Sequence, residues 1–65
     1  MLKGIYQIKE NDNIPLMQFG FVKETIIKLE FVINGIYIFS VRGSRVGIRE
    51  EDLISLDLIL LQAEN

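Results

Sequence analysis

Few side chains of this 65-residue chain could carry out chemistry. The chain has no His and no Cys, which removes the commonest metal ligand, the usual general base near neutral pH, and any disulfide. The hydroxyls of Ser40, Ser44 and Ser55 therefore have no histidine to activate them as nucleophiles. We expect no catalytic residue, no cofactor and a function other than catalysis.

Metal and phosphate sites are also disfavoured by the residue pattern. Glu50, Glu51 and Asp52 form the one acidic cluster, but adjacent positions on a helical turn point about 100° apart and do not converge on one ion. The segment Gly43-Ser44-Arg45 lacks the spacing and the following helix of a phosphate-binding loop. We expect no metal site, which leaves a binding module as the favoured class.

Charge and length narrow the kinds of partner. Lys and Arg number 7 against 9 Asp and Glu, so the chain lacks the clustered positive charge that nucleic acid requires. Charges interrupt every apolar stretch before the ~18 residues of a membrane span, and residues 1–10 do not resemble a signal peptide. The sequence therefore predicts one cytoplasmic domain over residues 1–65, without membrane insertion.

The composition favours β structure. Hydrophobic residues make up 49% of the chain, and the β-branched Ile and Val are frequent among them. We expect a first strand over residues 5–9 and a short helix over residues 14–19, capped by Asp12 or Asn13 and ended by Gly20. The acidic cluster should form a helical turn before a last strand over residues 56–60, and residues 62–65 should be frayed.

Asn34-Gly35 is the clearest local signal, because this pair prefers the type I′ turn of a two-residue hairpin. Such a turn places Ile33 opposite Ile36 and, further along, Glu30 opposite Phe39 and Leu29 opposite Ser40. The predicted core face is then almost purely apolar. It consists of Ile27, Leu29, Phe31, Ile33, Ile36 and Ile38.

The other hairpin face is more apolar than a solvated face needs to be. It carries Val32, Tyr37 and Phe39, and two interpretations stay open: a curved small barrel covers these side chains, or they form an exposed patch for a protein partner. In the next predicted strand Val46 and Ile48 point inward, while Arg45 and Arg49 point outward. The candidate partner surface is Val32, Tyr37, Phe39, Arg45 and Arg49.

Two segments carry a resemblance to a known family. Residues 16–27 (LMQFGFVKETII) and residues 41–52 (VRGSRVGIREED) resemble the two glycine-containing segments typical of the FeoA family, ferrous iron transport protein A. Glu24 stands where the family often has glycine, so we expect this turn to form without a positive φ. The resemblance implies a mainly β fold, a small SH3-like barrel of about five strands with one short helix.

The same resemblance implies a function. It suggests a non-catalytic accessory of bacterial ferrous iron transport, acting on the cytosolic part of the FeoB permease. Family membership often accompanies transition-metal binding, for which this sequence supplies no His or Cys. Two alternatives are a metal-linked regulatory domain of the iron-dependent repressor type and a self-associating structural module, a possible homo-oligomer formed through exposed strand edges.

Overall fold

The fold is mainly β, as the sequence predicts. A computed structural model describes residues 1–64, which form one antiparallel sheet of five strands and two short helices. Along the chain the elements are β1 (Gly4–Asn11), α1 (Ile14–Gln18), β2 (Ile26–Ile33), β3 (Ile36–Val41), β4 (Ser44–Arg49), α2 (Glu50–Leu53) and β5 (Leu56–Ala63). The strand order across the sheet is β4-β3-β2-β1-β5.

The sheet is not closed into the barrel that the resemblance implies. Within residues 1–64, β4 and β5 do not pair, so the sheet has two open edges. The connecting segments contribute Leu16, Phe21 and Leu53 to the core, so the inner face of the sheet is covered without a β4–β5 ladder. The acidic cluster forms the predicted helical turn, α2, whose first turn holds Glu50, Glu51 and Asp52, so the fold has two short helices where the family resemblance implies one.

The first helix follows its capping signals. The Asn13 side chain accepts a hydrogen bond from the backbone N–H of Leu16 at 3.1 Å, and Pro15 lies in the first turn. Gly20, with a φ of 99°, follows the end of α1. This short helix buries Leu16 in the core.

The β2–β3 hairpin follows the predicted register only near its turn. Asn34 and Gly35 have φ values of 50° and 76°, as a type I′ turn requires, and Ile33 lies opposite Ile36. Beyond Phe31 a β-bulge shifts the register, so that Phe39 lies opposite Leu29 and not opposite Glu30. Glu30 is the extra residue in β2.

The bulge exchanges the two faces of the hairpin. Ile27 and Leu29 are buried as predicted, but Phe31, Ile33, Ile36 and Ile38 lie on the outer face. The inner face continues instead through Phe39 and Val41, both buried. The predicted core face is therefore wrong for four of its six members. The core consists of Tyr6, Ile8, Leu16, Phe21, Ile27, Leu29, Phe39, Val41, Ile48 and Leu56.

The last strand is longer than predicted. β5 extends through Gln62 and Ala63, which pair with Ile5 and Gly4 of β1. A Cβ on Gly4 would lie 2.2 Å from the Gln62 carbonyl oxygen, so only glycine permits this close approach. The predicted fraying of residues 62–64 is wrong, and the last residue, Asn65, lies outside the described residues.

Candidate protein-interaction surface

Phe39, predicted as a contact residue, belongs to the core. It is fully buried, and its ring meets that of Phe21 edge to face, with centroids 5.8 Å apart and planes at 89°. Tyr37 is half-buried and packs against the same core. The expectation of exposure is therefore wrong for Phe39, and the alternative interpretation, that the fold covers this side chain, is correct.

Val32 is exposed, but its side chain does not lie on the outer face of the sheet. It lies opposite Tyr37, so its side chain projects to the inner side near the tip of the hairpin. The neighbouring Ile33 lies opposite Ile36 and projects to the outer side. Val32 is 46% exposed and Ile33 is 54% exposed. The two side chains therefore lie on opposite faces of β2 but are exposed to a similar degree.

Four apolar side chains meet on the outer face of β2 and β3. We call Phe31, Ile33, Ile36 and Ile38 the outer patch. Phe31 lies opposite Ile38, and Ile33 lies opposite Ile36, so the four form two adjacent cross-strand pairs. Phe31 is 40% exposed, while Ile36 and Ile38 are half-buried. The outer patch is thus a contiguous apolar area, accessible to solvent, on the β2–β3 hairpin.

A glycine in β4 shapes the outer patch. Gly47 lies opposite Ile38, and a Cβ built there would be 2.9 Å from Ile36 Cγ2 and 3.3 Å from Ile38 Cδ1. The two isoleucine side chains therefore occupy the space above the Gly47 backbone. The outer patch therefore reaches β4, because Gly47 has no side chain that would separate the two isoleucines from the backbone of this edge strand.

Both predicted arginines lie on the outer face, as expected. Arg45 lies opposite Ser40, and its guanidinium carbon is 5.9 Å from the centroid of the Phe31 ring. Arg49 lies opposite Ile36, and its Nε is 3.3 Å from Asp52 Oδ2 and 3.4 Å from Glu51 Oε1. Two α2 carboxylates thus offset Arg49, whereas Arg45 has no ion pair within residues 1–64 and contacts the patch aromatic.

The bulge residue Glu30 places a negative charge at one border of the outer patch. Ser40 Oγ donates a hydrogen bond to Glu30 Oε2 at 2.6 Å, and Lys28 Nζ lies 3.8 Å from Glu30 Oε1. The Ser40 hydrogen bond, and then the positive charges of Lys28 and Arg45, lower the pKa of Glu30 below its ordinary value of 4.5. The carboxylate is therefore ionised at neutral pH.

The described residues offer little for other chemistry. Within residues 1–64 no three acidic side chains lie close enough together to hold a metal ion. The Ser55 hydroxyl donates to the Asp52 carbonyl oxygen at 2.7 Å. Two surface depressions, of about 180 and 220 Å³, are smaller than the ≈300–1,000 Å³ of most small-molecule sites, and no outer-patch residue lines them. The outer patch suits burial against a protein surface better than small-molecule binding.

Sequence reasoning missed the aliphatic part of this surface, although a signal was available. A two-residue turn at Arg42-Gly43 places Val46 opposite Phe39 and Ile48 opposite Tyr37. Since Val46 and Ile48 were expected to point inward, that register also assigns Phe39 to the core. The alternating Ile36, Ile38 and Ser40 then fall on the outer face.

Comparisons with known proteins were made at the level of families, curated proteins and solved structures. None of the three found a match to this chain. None of the helices within residues 1–64 has the length and apolar character needed to cross a bilayer.

Proposed function

We propose that the chain is a non-catalytic protein-interaction module and that the outer patch is its contact surface. The observation that carries the proposal is the contiguous apolar area of Phe31, Ile33, Ile36 and Ile38 on the solvent side of the sheet. Contiguous apolar surface of this kind, bordered by polar residues, is typical of interaction sites in small soluble domains.

The residue types of the surface suit a protein contact. Aromatic and Arg side chains most often carry the binding energy of interfaces, and Arg45 and Phe31 lie together here. Arg49 is offset by Glu51 and Asp52, whereas Arg45 makes no ion pair within residues 1–64 and lies beside the Phe31 ring. The partner surface should therefore be apolar, with a carboxylate placed to meet Arg45.

The partner that we propose is the cytosolic, GTP-binding part of the ferrous iron permease FeoB, which implies a cytoplasmic location. Support for this partner comes from the resemblance of residues 16–27 and 41–52 to the FeoA family. The turn at Glu24 adds support, since its φ of 74° is the left-handed conformation for which glycine is the usual residue. The expectation of a turn without positive φ is wrong, and the backbone has the shape that a family glycine would permit.

An amide chemical-shift titration of the labelled chain with the GTP-binding domain tests this function. We expect saturable shifts at Phe31, Ile33, Ile36 and Ile38, with smaller shifts on the inner face. Replacing Phe31 with Ala should weaken binding at least about tenfold, the level expected of an interface anchor. An unchanged spectrum at high partner concentration would contradict the proposed partner.

Adjacent residues of β2 provide a matched pair of variants. Ile33→Lys places a charge within the outer patch and should abolish binding, whereas Val32→Lys places the same charge on the other side of the strand and should leave binding nearly unchanged. Equal loss in both variants would contradict the assignment of the outer patch as the contact surface. Far-UV circular dichroism of each variant controls for folding.

A further inference from the structure

The strand β5 forms an edge of the sheet that lacks the usual protection. Within residues 1–64 it pairs with β1 on one side and with no strand on the other. Asp57 is its one charged residue, and the run from Leu58 to Leu61 is entirely aliphatic. Natural proteins usually protect such edges with lysines, prolines or short strands, because unpaired backbone groups recruit further strands. The opposite edge, β4, carries Arg45 and Arg49.

Side chains on β5 are exposed at the edge where, within residues 1–64, no further strand pairs. Leu60 lies opposite Tyr6, which is buried, yet Leu60 is 42% exposed. Ile59 and Leu61 are exposed to a similar degree. An additional strand alongside β5 would pair the free backbone groups and cover these three side chains together.

We propose that a second copy of this chain supplies that strand, so that two β5 strands pair antiparallel about a two-fold axis. An antiparallel pair related in this way has its axis perpendicular to the sheet, and directly opposite residues lie on the same face. Leu58 and Leu60 satisfy this condition because both belong to the inner side of β5. The result is a continuous ten-stranded sheet.

Charge selects the register of this pairing. An axis at Ile59 places Leu58 opposite the second copy's Leu60 and Asp57 opposite its Leu61. The two Asp57 carboxylates are then about 13 Å apart along the strands, beyond the ≈8 Å Debye length at physiological ionic strength. An axis at Leu58 would make the two Asp57 residues diagonal neighbours about 7–8 Å apart, where like charges repel. An axis at Leu60 would place the Leu61 bulge directly beside the axis, so the pairing is centred on Ile59.

The regular part of β5 accommodates this arrangement. From Leu56 to Leu60 the strand advances without an extra residue, and the bulge at Leu61 of each copy lies at an end of the proposed pairing, one at each end. The area covered is modest for a dimer, so self-association should depend on concentration in an accessible range. Each dimer would present two outer patches, because β2 and β3 lie away from the β5 edge.

Single cysteines provide a direct test, since the natural chain has none. In the proposed register two copies of Ile59→Cys face each other with Cα atoms ≈4.5–5.5 Å apart, within the range of a disulfide. Asp57→Cys is the matched control on the same strand, because residue 57 of one copy lies too far from residue 57 of the second copy to form a disulfide. Mild oxidation should convert most of the Ile59→Cys protein, and little of the Asp57→Cys protein, to a covalent dimer. Equal cross-linking of the two variants would overturn the register.

Sedimentation equilibrium tests the dimer itself without oxidation. The weight-average mass should rise with concentration from 7.5 kDa toward twice that value, and Ile59→Lys should abolish the rise. Ile33→Lys should leave it unchanged, because the outer patch is not part of the proposed dimer. A natural chain that stays monomeric at all concentrations, or a dimer disrupted by Ile33→Lys alone, would overturn the proposal. Neither result decides whether the outer patch binds the permease domain, which has its own titration.

Discussion

Replacing Phe39 with Ala should unfold most of the protein. Phe39 is fully buried against Phe21, and truncation of such a phenylalanine costs ≈3–5 kcal/mol through lost burial and the remaining cavity. In a domain of fewer than about 70–80 residues a single hydrophobic core rarely supplies more than ~3–5 kcal/mol of stability. The loss is therefore comparable with the whole free energy of unfolding.

Phe31 provides the matched control for this prediction, because the same substitution removes the same side chain from the opposite face. About three fifths of Phe31 is covered, so Phe31→Ala should cost about 1–2 kcal/mol. Urea denaturation followed by far-UV circular dichroism measures both variants. With a slope near 1 kcal/mol per molar urea, Phe31→Ala should lower the midpoint by about 1–2 M.

Comparing the stability losses of the Phe39 and Phe31 variants tests whether Phe39 belongs to the core. Phe39→Leu, which keeps part of the core volume, should cost about 1.5 kcal/mol and preserve a folded baseline where Phe39→Ala does not. A Phe39→Ala protein that lost less than about 1.5 kcal/mol, or no more than Phe31→Ala, would show that the bulge does not place Phe39 in the core. The hairpin would then present Phe39 to solvent, and the outer patch would not exist as described.

Two further predictions concern backbone strain and pH. Glu24→Gly should raise the free energy of unfolding by about 0.5–1 kcal/mol, because glycine adopts the φ of 74° without steric cost. Lys23→Gly, the neighbouring control, should lower the free energy of unfolding. A Glu24→Gly variant that is no more stable than the natural chain in urea denaturation would contradict this prediction. Because the folded pKa of Glu30 lies below 4.5, its ionisation stabilises the fold fully above about pH 4.5, and this contribution disappears as the pH falls through the folded pKa. The stability difference between the natural chain and Glu30→Gln should therefore shrink in acid, and the pH dependence should be much smaller in a Ser40→Ala background; a difference that is the same at all pH values would refute the prediction.

The local elements of this fold could be predicted where a single residue type determines the backbone. Asn34-Gly35 predicted both the turn and the first three pairs of the hairpin, because few residues adopt a positive φ twice in succession. Asn13 likewise predicted the start of α1 through its side-chain acceptor. In both cases the residue that determines the backbone conformation lies within a few positions of the turn or helix that it forms.

The faces of the hairpin could not be predicted from β2 and β3 alone. Both strands are apolar on both sides, so the alternation does not indicate which side is buried. The choice depends on the Glu30 bulge, and Glu30 accepts a hydrogen bond from Ser40, which the predicted register placed opposite Leu29. Arg45 and Arg49 were placed correctly because alternation with Val46 and Ile48 is unambiguous in β4.

The β1–β5 ladder has a consequence for how the protein folds. Ile8 pairs with Leu58, fifty positions later, whereas β2, β3 and β4 pair with their neighbours in sequence. Local pairings form faster than distant ones because less chain entropy is lost in closing the loop. The β2–β3–β4 meander should therefore form first, leaving β1 without its neighbour β5 until that strand is available. During synthesis on the ribosome β1 must wait for β5, so the sheet is completed only after residues 56–63 have emerged.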